Sequence, residues 1–213
     1  MSVNHILSAL LQVIANVPGK APSTLDPSNK AAAVTLSGGN LSASASGVGA
    51  AQATSFKTTG KWYFEVKYTT LNGSSGAFGG IANTSFSNTS GSGLGGANSA
   101  AMWPGSPSIL FVNNTNIQSM SPNISAGDVI GFAIDLTNNK MWVNDWTSGS
   151  GWIGGGAGAN PATNTAGASL STINSGGEIF AGVGFYTSGG ASTINFGTTS
   201  FTGSVPSGFS AWG

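Results

Sequence analysis

The stretch KMWVNDWTSGSGWIGGG, residues 140–156, places Trp142, Trp146 and Trp152 within eleven residues, with Asn144 and Asp145 among them. Indole rings on Gly- and Ser-rich chain can stack on the C–H face of a sugar while a neighbouring amide and carboxylate bind its hydroxyls. Aromatic rings on adaptable polar loops are common in recognition surfaces. A second long loop, SGLGGANSAAMWPGSPS at 92–108, carries Trp103 just before Pro104-Gly105, and GFYTSGG carries Tyr186. Pro fixes φ and favours an extended residue before it, so Trp103 is either held outward or makes an ordinary rim contact. Trp146, Trp152, Asn144, Asp145, Trp103 and Tyr186 are therefore the candidate ligand contacts. For Trp146 and Trp152 a competing reading stays open, in which a ring folds back to plug the end of the fold.

Catalytic chemistry finds little material. The single histidine, His5, lies in the N-terminal segment, so a Ser–His–Asp arrangement cannot be assembled. A retaining glycosidase needs two carboxylates about 5 Å apart, yet Glu65, Asp128, Asp135, Asp145 and Glu178 fall on separate strands and turns. No catalytic residue is assigned, and the chain reads as a non-enzyme. There is no Cys, no His pair and no Asp-x-Asp-x-Asp loop, which leaves no metal set. SGGN, GGIA and IGGGAG match no phosphate-binding loop, so no cofactor is expected.

Charge narrows the partners. Six Lys, no Arg and six acids leave a net charge of zero in 213 residues. Nucleic acids and anionic membranes call for basic clusters, and none occurs. A neutral surface fits a chain living in an assembly, a homo-oligomer for instance, or one contacting neutral partners such as glycans. The lack of Cys is compatible with the cytosol or with a virion assembled there.

The elements that must position these side chains are mostly strands. GKWYFEVKY alternates Trp62, Phe64, Val66 and Tyr68 with Tyr63, Glu65 and Lys67, a period of two with one strongly apolar face. GDVIGFAIDL puts Ile130, Phe132, Ile134 and Leu136 on one face, and EIFAGVGFY and STINFG supply two further strands. A two-residue turn at Asn138-Asn139 pairs Asp135 with Trp142 and Ile134 with Val143. Met141 and Val143 then join the core. Trp142 takes the opposite face beside Ala133 and Gly131, with Asp135 accepting its N–H, and reads as a structural ring.

The first twenty residues differ. In MSVNHILSALLQVIANVPGK, Ile6, Leu7, Leu10, Leu11, Val13, Ile14 and Val17 recur at helical spacing and Pro18-Gly19 ends the pattern. An amphipathic helix over 1–20 is expected, and a single all-β domain over 21–213. The helix has no basic flank and no cleavage motif, and its apolar run is too short to span a bilayer. It packs either on its own domain or on another subunit, and Ile6, Leu7, Leu10, Leu11, Ile14 and Val17 are the expected assembly contacts.

Several motifs, in order, resemble those of SPRY domains: GKWYFEV at 60–66, GDVIGFAIDLTNNKMWVN at 127–144 and IFAGVGFYTSGGASTINFG at 179–197. LDPSNKAAAVTLSGGNLSAS at 25–44, GANPATNTAG at 158–167 and VPSGFSAW at 205–212 resemble the SPRY-like proteins of bacteriophages and prophages. The resemblance implies a concanavalin-like β-sandwich of two antiparallel sheets whose rim loops bind proteins or other ligands without catalysis. It further implies a virion structural protein, a head decoration or a tail or fibre component, assembled in the host cytoplasm. Its partners would be capsid or tail subunits and a host surface glycan or protein. A purely architectural subunit and a bacterial lectin-like adhesin at the cell surface are the alternatives. The chain departs from the family after Asn144, where Asp-Trp-Thr-Ser-Gly-Ser-Gly-Trp stands in place of the usual Asn-Gly closure.

Overall fold

A computed structural model of the chain describes residues 22–73, 76–89 and 93–213. The expected helix over 1–20, the boundary near Lys20 and the stripe from Ile6 to Val17 lie outside the described residues. Among the described residues there is no α-helix, and no helix long and apolar enough to cross a membrane.

The strands run β1 (Leu25–Lys30), β2 (Val34–Ser37), β3 (Ser42–Ala45), β4 (Gly49–Lys57), β5 (Lys61–Thr70), β6 (Phe78–Asn83), β7 (Ser99–Trp103) and β8 (Ser108–Val112). Then follow β9 (Thr115–Met120), β10 (Val129–Asp135), β11 (Lys140–Asp145), β12 (Ala168–Ser169), β13 (Ile179–Phe185), β14 (Ala191–Asn195) and β15 (Ser210–Ala211). One sheet has the order β1-β4-β13-β6-β7-β8-β9, and the other β12-β11-β10-β5-β14-β3-β2. Neighbours in both are antiparallel. The exception is β15, which joins β5 in parallel at Trp62 and Tyr63, beyond the point where β14 stops at Glu65.

The core fills the space between the sheets, as the period-two pattern dictates. Phe64, Val66 and Tyr68 of β5, Ile130, Phe132 and Ile134 of β10, and Met141 and Val143 of β11 all point inward. They meet Ile81, Met102, Leu110, Val183 and Phe185 from the opposite sheet, with Trp212 closing one end. The Tyr68 hydroxyl crosses this core, donating to Met102 O at 2.7 Å and accepting from Gly79 N at 2.8 Å. Both of its hydrogen-bonding needs are met, which is what makes a buried hydroxyl tolerable.

Each sheet also carries a buried cluster on its outer face. Tyr63, Ala133, Trp142 and Phe209 form one, on the sheet of β5 and β10. Phe78, Ala82, Phe86, Leu94 and Ala101 form the other, on the sheet of β6 and β7. The chain's own loops roof both faces, and the candidate residues sit under or along those roofs.

Candidate functional site

Trp142 depends on the β10–β11 hairpin, whose register differs from the expected one. Asp135 pairs with Lys140, Ile134 with Met141 and Ala133 with Trp142, so the loop holds four residues, 136–139. The Asp135 carboxylate explains the longer loop: it accepts from Asn138 N at 2.9 Å and Asn138 Nδ2 at 2.8 Å, and pairs with Lys61 Nζ at 3.3 Å. A shift of one residue would exchange the two faces, but this shift is of two and preserves them. Trp142 lies on the outer face beside Ala133, fully buried. Its Nε1 donates to Thr165 O at 2.7 Å, not to Asp135. Chain from the 154–167 loop covers the ring, and a Cβ at Gly167 would lie only 2.6 Å from the indole.

Trp146 is half-buried and committed to the same face. Its Nε1 donates to Tyr63 Oη at 2.8 Å, and that hydroxyl donates to Glu65 Oε1 at 2.8 Å. Glu65 is itself buried and also accepts from Thr202 N and Gly203 N, each at 2.8 Å. One carboxylate thus fastens the C-terminal segment over the sheet, and the segment presses Gly203 against the Trp146 ring. Burial foremost, with the Glu65 charge beside it, pushes the Tyr63 hydroxyl's pKa well above its ordinary value and keeps the phenol protonated as a donor. Trp152 is half-buried and packs edge-on to Trp146, with centroids 5.6 Å apart and planes at 89°.

Asn144 and Asp145, expected beside a sugar, are buried at 4% and 0% exposure. Asp145 Oδ1 accepts from Thr147 N and Ser148 N, and its Oδ2 accepts from Ser148 Oγ. Asn144 Oδ1 accepts from Ser150 Oγ. Their polar atoms shape the loop that carries Trp146 and Trp152. Asp145 also comes into hydrogen-bonding contact with Asp128, a pairing of carboxyls that sequence separation concealed. Burial raises the Asp128 pKa above its ordinary value; the Ser125 amide opposes that shift, and the charge of Asp145 and the hydrogen bond with it add to it. Asp145 is fully buried, and Asp128 keeps a small exposed edge. Among the described residues, no group of three or more His, Asp or Glu is placed to hold a metal ion.

The other two candidates meet on the opposite sheet. Trp103 lies at the end of β7 and stacks on Phe78, with centroids 4.8 Å apart and planes at 19°. Tyr186 packs against it at 5.4 Å, and Phe111 at 4.8 Å. The indole N–H donates inward to Leu94 O at 2.6 Å, so Trp103 is a fixed wall, not a free flag. Beside it opens a groove of about 300 Å³ at the β7–β8 hairpin, lined by Trp103, Pro104, Ser106, Pro107, Ile109 and Phe111, with Gly105 at its tip, and by no charged residue. Ile109 and Phe111 were missing from the sequence candidates. Their signal is in SILFV, where Leu110 and Val112 reach the core while Ile109 and Phe111 are also apolar, marking a strand with work on both faces.

No family model matches the chain, and no curated protein matches it in sequence. Solved structures do. The PSpry domain of TRIM65 superposes with a TM-score of 0.60 at 13% identity, over 82% of this chain and 89% of that one. The SPRY domain of human HERC1 gives 0.55 at 13% identity, over 83% and 99% of the two chains. A further human SPRY domain gives 0.53 at 13% identity, over 81% and 99%. At such identities the likeness is one of fold, and the fold is an all-β, SPRY-like sandwich of two sheets.

Proposed function

We propose that the chain is a non-catalytic binding module that seats an uncharged, extended protein segment in the groove beside Trp103. One observation carries this reading: the groove is walled by two prolines, Ile109 and two aromatic rings without a single charge. A charged partner would lose hydration there with nothing to pair against. Aromatic-lined grooves suit extended, proline-bearing segments, whose ordering cost on binding is low. Resemblance to SPRY domains supports the same role. The phage-type motifs and the neutral composition support placing the module on a virion, facing a neighbouring capsid or tail subunit or a host surface protein.

Ile109→Glu tests the groove. Ile109 is half-exposed, so the variant keeps the wild-type melting temperature within a few degrees while binding of the labelled domain to its particle or host cell falls at least about tenfold. Unaltered binding by the variant refutes the groove reading. Gene neighbours unrelated to capsid or tail proteins refute the virion placement separately.

Trp152 supports a second reading, adhesion to a neutral glycan. Five of the six tryptophans donate their indole N–H within the chain: Trp62, Trp103, Trp142, Trp146 and Trp212. Trp152 alone makes no such bond among the described residues and keeps part of its ring exposed. Loss of glycan binding in Trp152→Ala, with Ile109→Glu unaffected, selects this reading.

A further inference from the structure

Asn72 and Gly73 make the only Asn-Gly step in the chain; every other asparagine precedes a residue that carries a side chain. The step lies just beyond β5, and both of its residues are exposed. Gly73 has a φ of 68°, and a Cβ placed on it would meet no atom within 4 Å. Among the described residues its N–H makes no backbone hydrogen bond. That nitrogen is therefore open both to the side chain of Asn72 and to water.

Asn72 also clasps a second loop. Its Nδ2 donates to Ser188 O at 2.8 Å, between β13 and β14, and its backbone carbonyl accepts from Thr187 Oγ1 at 3.4 Å. Just before these two residues is Tyr186, which packs against Trp103. We propose that Asn72 is a site of spontaneous deamidation, and that its conversion releases Thr187 and Ser188 beside the groove wall. The Gly73 nitrogen gives its proton to solvent hydroxide and attacks Cγ of Asn72. As the N–Cγ bond forms, the Cγ–Nδ2 bond breaks and ammonia leaves. Water then opens the cyclic imide at either carbonyl, leaving aspartate or isoaspartate. Glycine permits the closure because it has no Cβ in the way and a permissive backbone. The exposed bond to Ser188 does not prevent it, since against water such a bond contributes little and opens often. The product has lost its N–H donor, and a carboxylate that only accepts now faces the Ser188 carbonyl.

The folded chain is incubated at mildly alkaline pH and its peptides are followed by mass. Asn72 converts several-fold faster than any other asparagine, and a species with one more negative charge accumulates on ion exchange. That species does not form in Asn72→Gln. Amide exchange at Thr187 and Ser188 rises several-fold in the separated species and in Asn72→Asp. Conversion at Asn72 no faster than at Asn98 or Asn174, the two asparagines followed by serine, overturns the modification site. Unchanged exchange at residues 187 and 188 in either acidic form overturns the release of the loop.

Discussion

Glu65→Gln is the sharpest test of how the outer face around Trp146 is held together. The carboxylate accepts from Tyr63 Oη and Gly203 N on one oxygen and from Thr202 N on the other, each at 2.8 Å. A glutamine keeps one accepting oxygen and turns the second position into a donor. With its oxygen toward Gly203, the new amide faces the Thr202 N–H, donor against donor. Turned the other way, it faces Gly203 N and a Tyr63 hydroxyl that already accepts from Trp146. Either orientation strands at least one backbone amide. Hydrogen bonds to a charged acceptor contribute about 1.5–3 kcal/mol each, and a stranded amide costs about 1–3 kcal/mol. Thr202 is exposed, so water recovers part of that loss, and the net falls to about 2 kcal/mol. For a domain of this size that lowers the melting temperature by roughly 4–8 °C. The indole N–H resonance of Trp146 reports which orientation is taken, because its acceptor hydroxyl loses its own acceptor only in the second. A melting temperature within about 1 °C of wild type and an unmoved Trp146 resonance would refute the carboxylate clasp.

Further expectations follow from single contacts. In Gly79→Ala the new Cβ would lie 2.8 Å from both Phe132 and Val66, so β6 must move outward and loosen its bond to the Tyr68 hydroxyl. The cost is about 1–3 kcal/mol, read by denaturant unfolding, and a variant as stable as wild type would show that the sheets have slack. Asp128 governs a pH effect. Its pKa is raised in the fold, by burial first and then by Asp145, against the Ser125 amide, so the folded chain holds that proton more tightly than the unfolded one. The associated stability is complete below the ordinary Asp value of about 3.9 and is lost as pH rises through the raised folded value. Asp128→Asn should flatten the stability profile across that window, and profiles that run parallel would contradict the assignment.

The strand faces were legible in the sequence because each apolar alternation has one physical solution. Phe64, Val66 and Tyr68 or Ile130, Phe132 and Ile134 have nowhere to go but between the sheets. Strand parity puts Trp142 on its observed face even though the hairpin loop is two residues longer than the expected turn, since a slip of two residues leaves parity intact. What alternation cannot encode is a partner far away in sequence. The hydroxyl that holds Trp146 is 83 residues upstream, and the amides that hold Glu65 are 137 and 138 residues downstream. Asn144 and Asp145 looked like ligand groups because polar residues beside exposed rings usually are. Their burial follows from the Thr147, Ser148 and Ser150 donors that immediately follow them, a pattern that Asx-type turns use to satisfy a carboxylate locally.

The positions of the tryptophan N–H groups separate walls from contacts. An indole buried on a sheet face must find an acceptor for its N–H or forfeit a hydrogen bond, and Trp103, Trp142 and Trp146 have each found one in the chain. Moving any of them to meet a partner would break that bond, so these rings act as fixed surfaces. Trp103 therefore walls the groove without reorganisation, which would lower the cost of the binding proposed there. Trp152 is placed differently: among the described residues its loop is held to β11 only by the isolated bridge of Ile153 to Val143, and its indole N–H makes no hydrogen bond there, which leaves it able to donate to a new partner. A rigid apolar groove and an adjustable ring with a spare donor suit different ligands. On the two proposed readings the groove would select by shape and lack of charge, whereas Trp152 would select by stacking plus one hydrogen bond, the combination a neutral sugar satisfies.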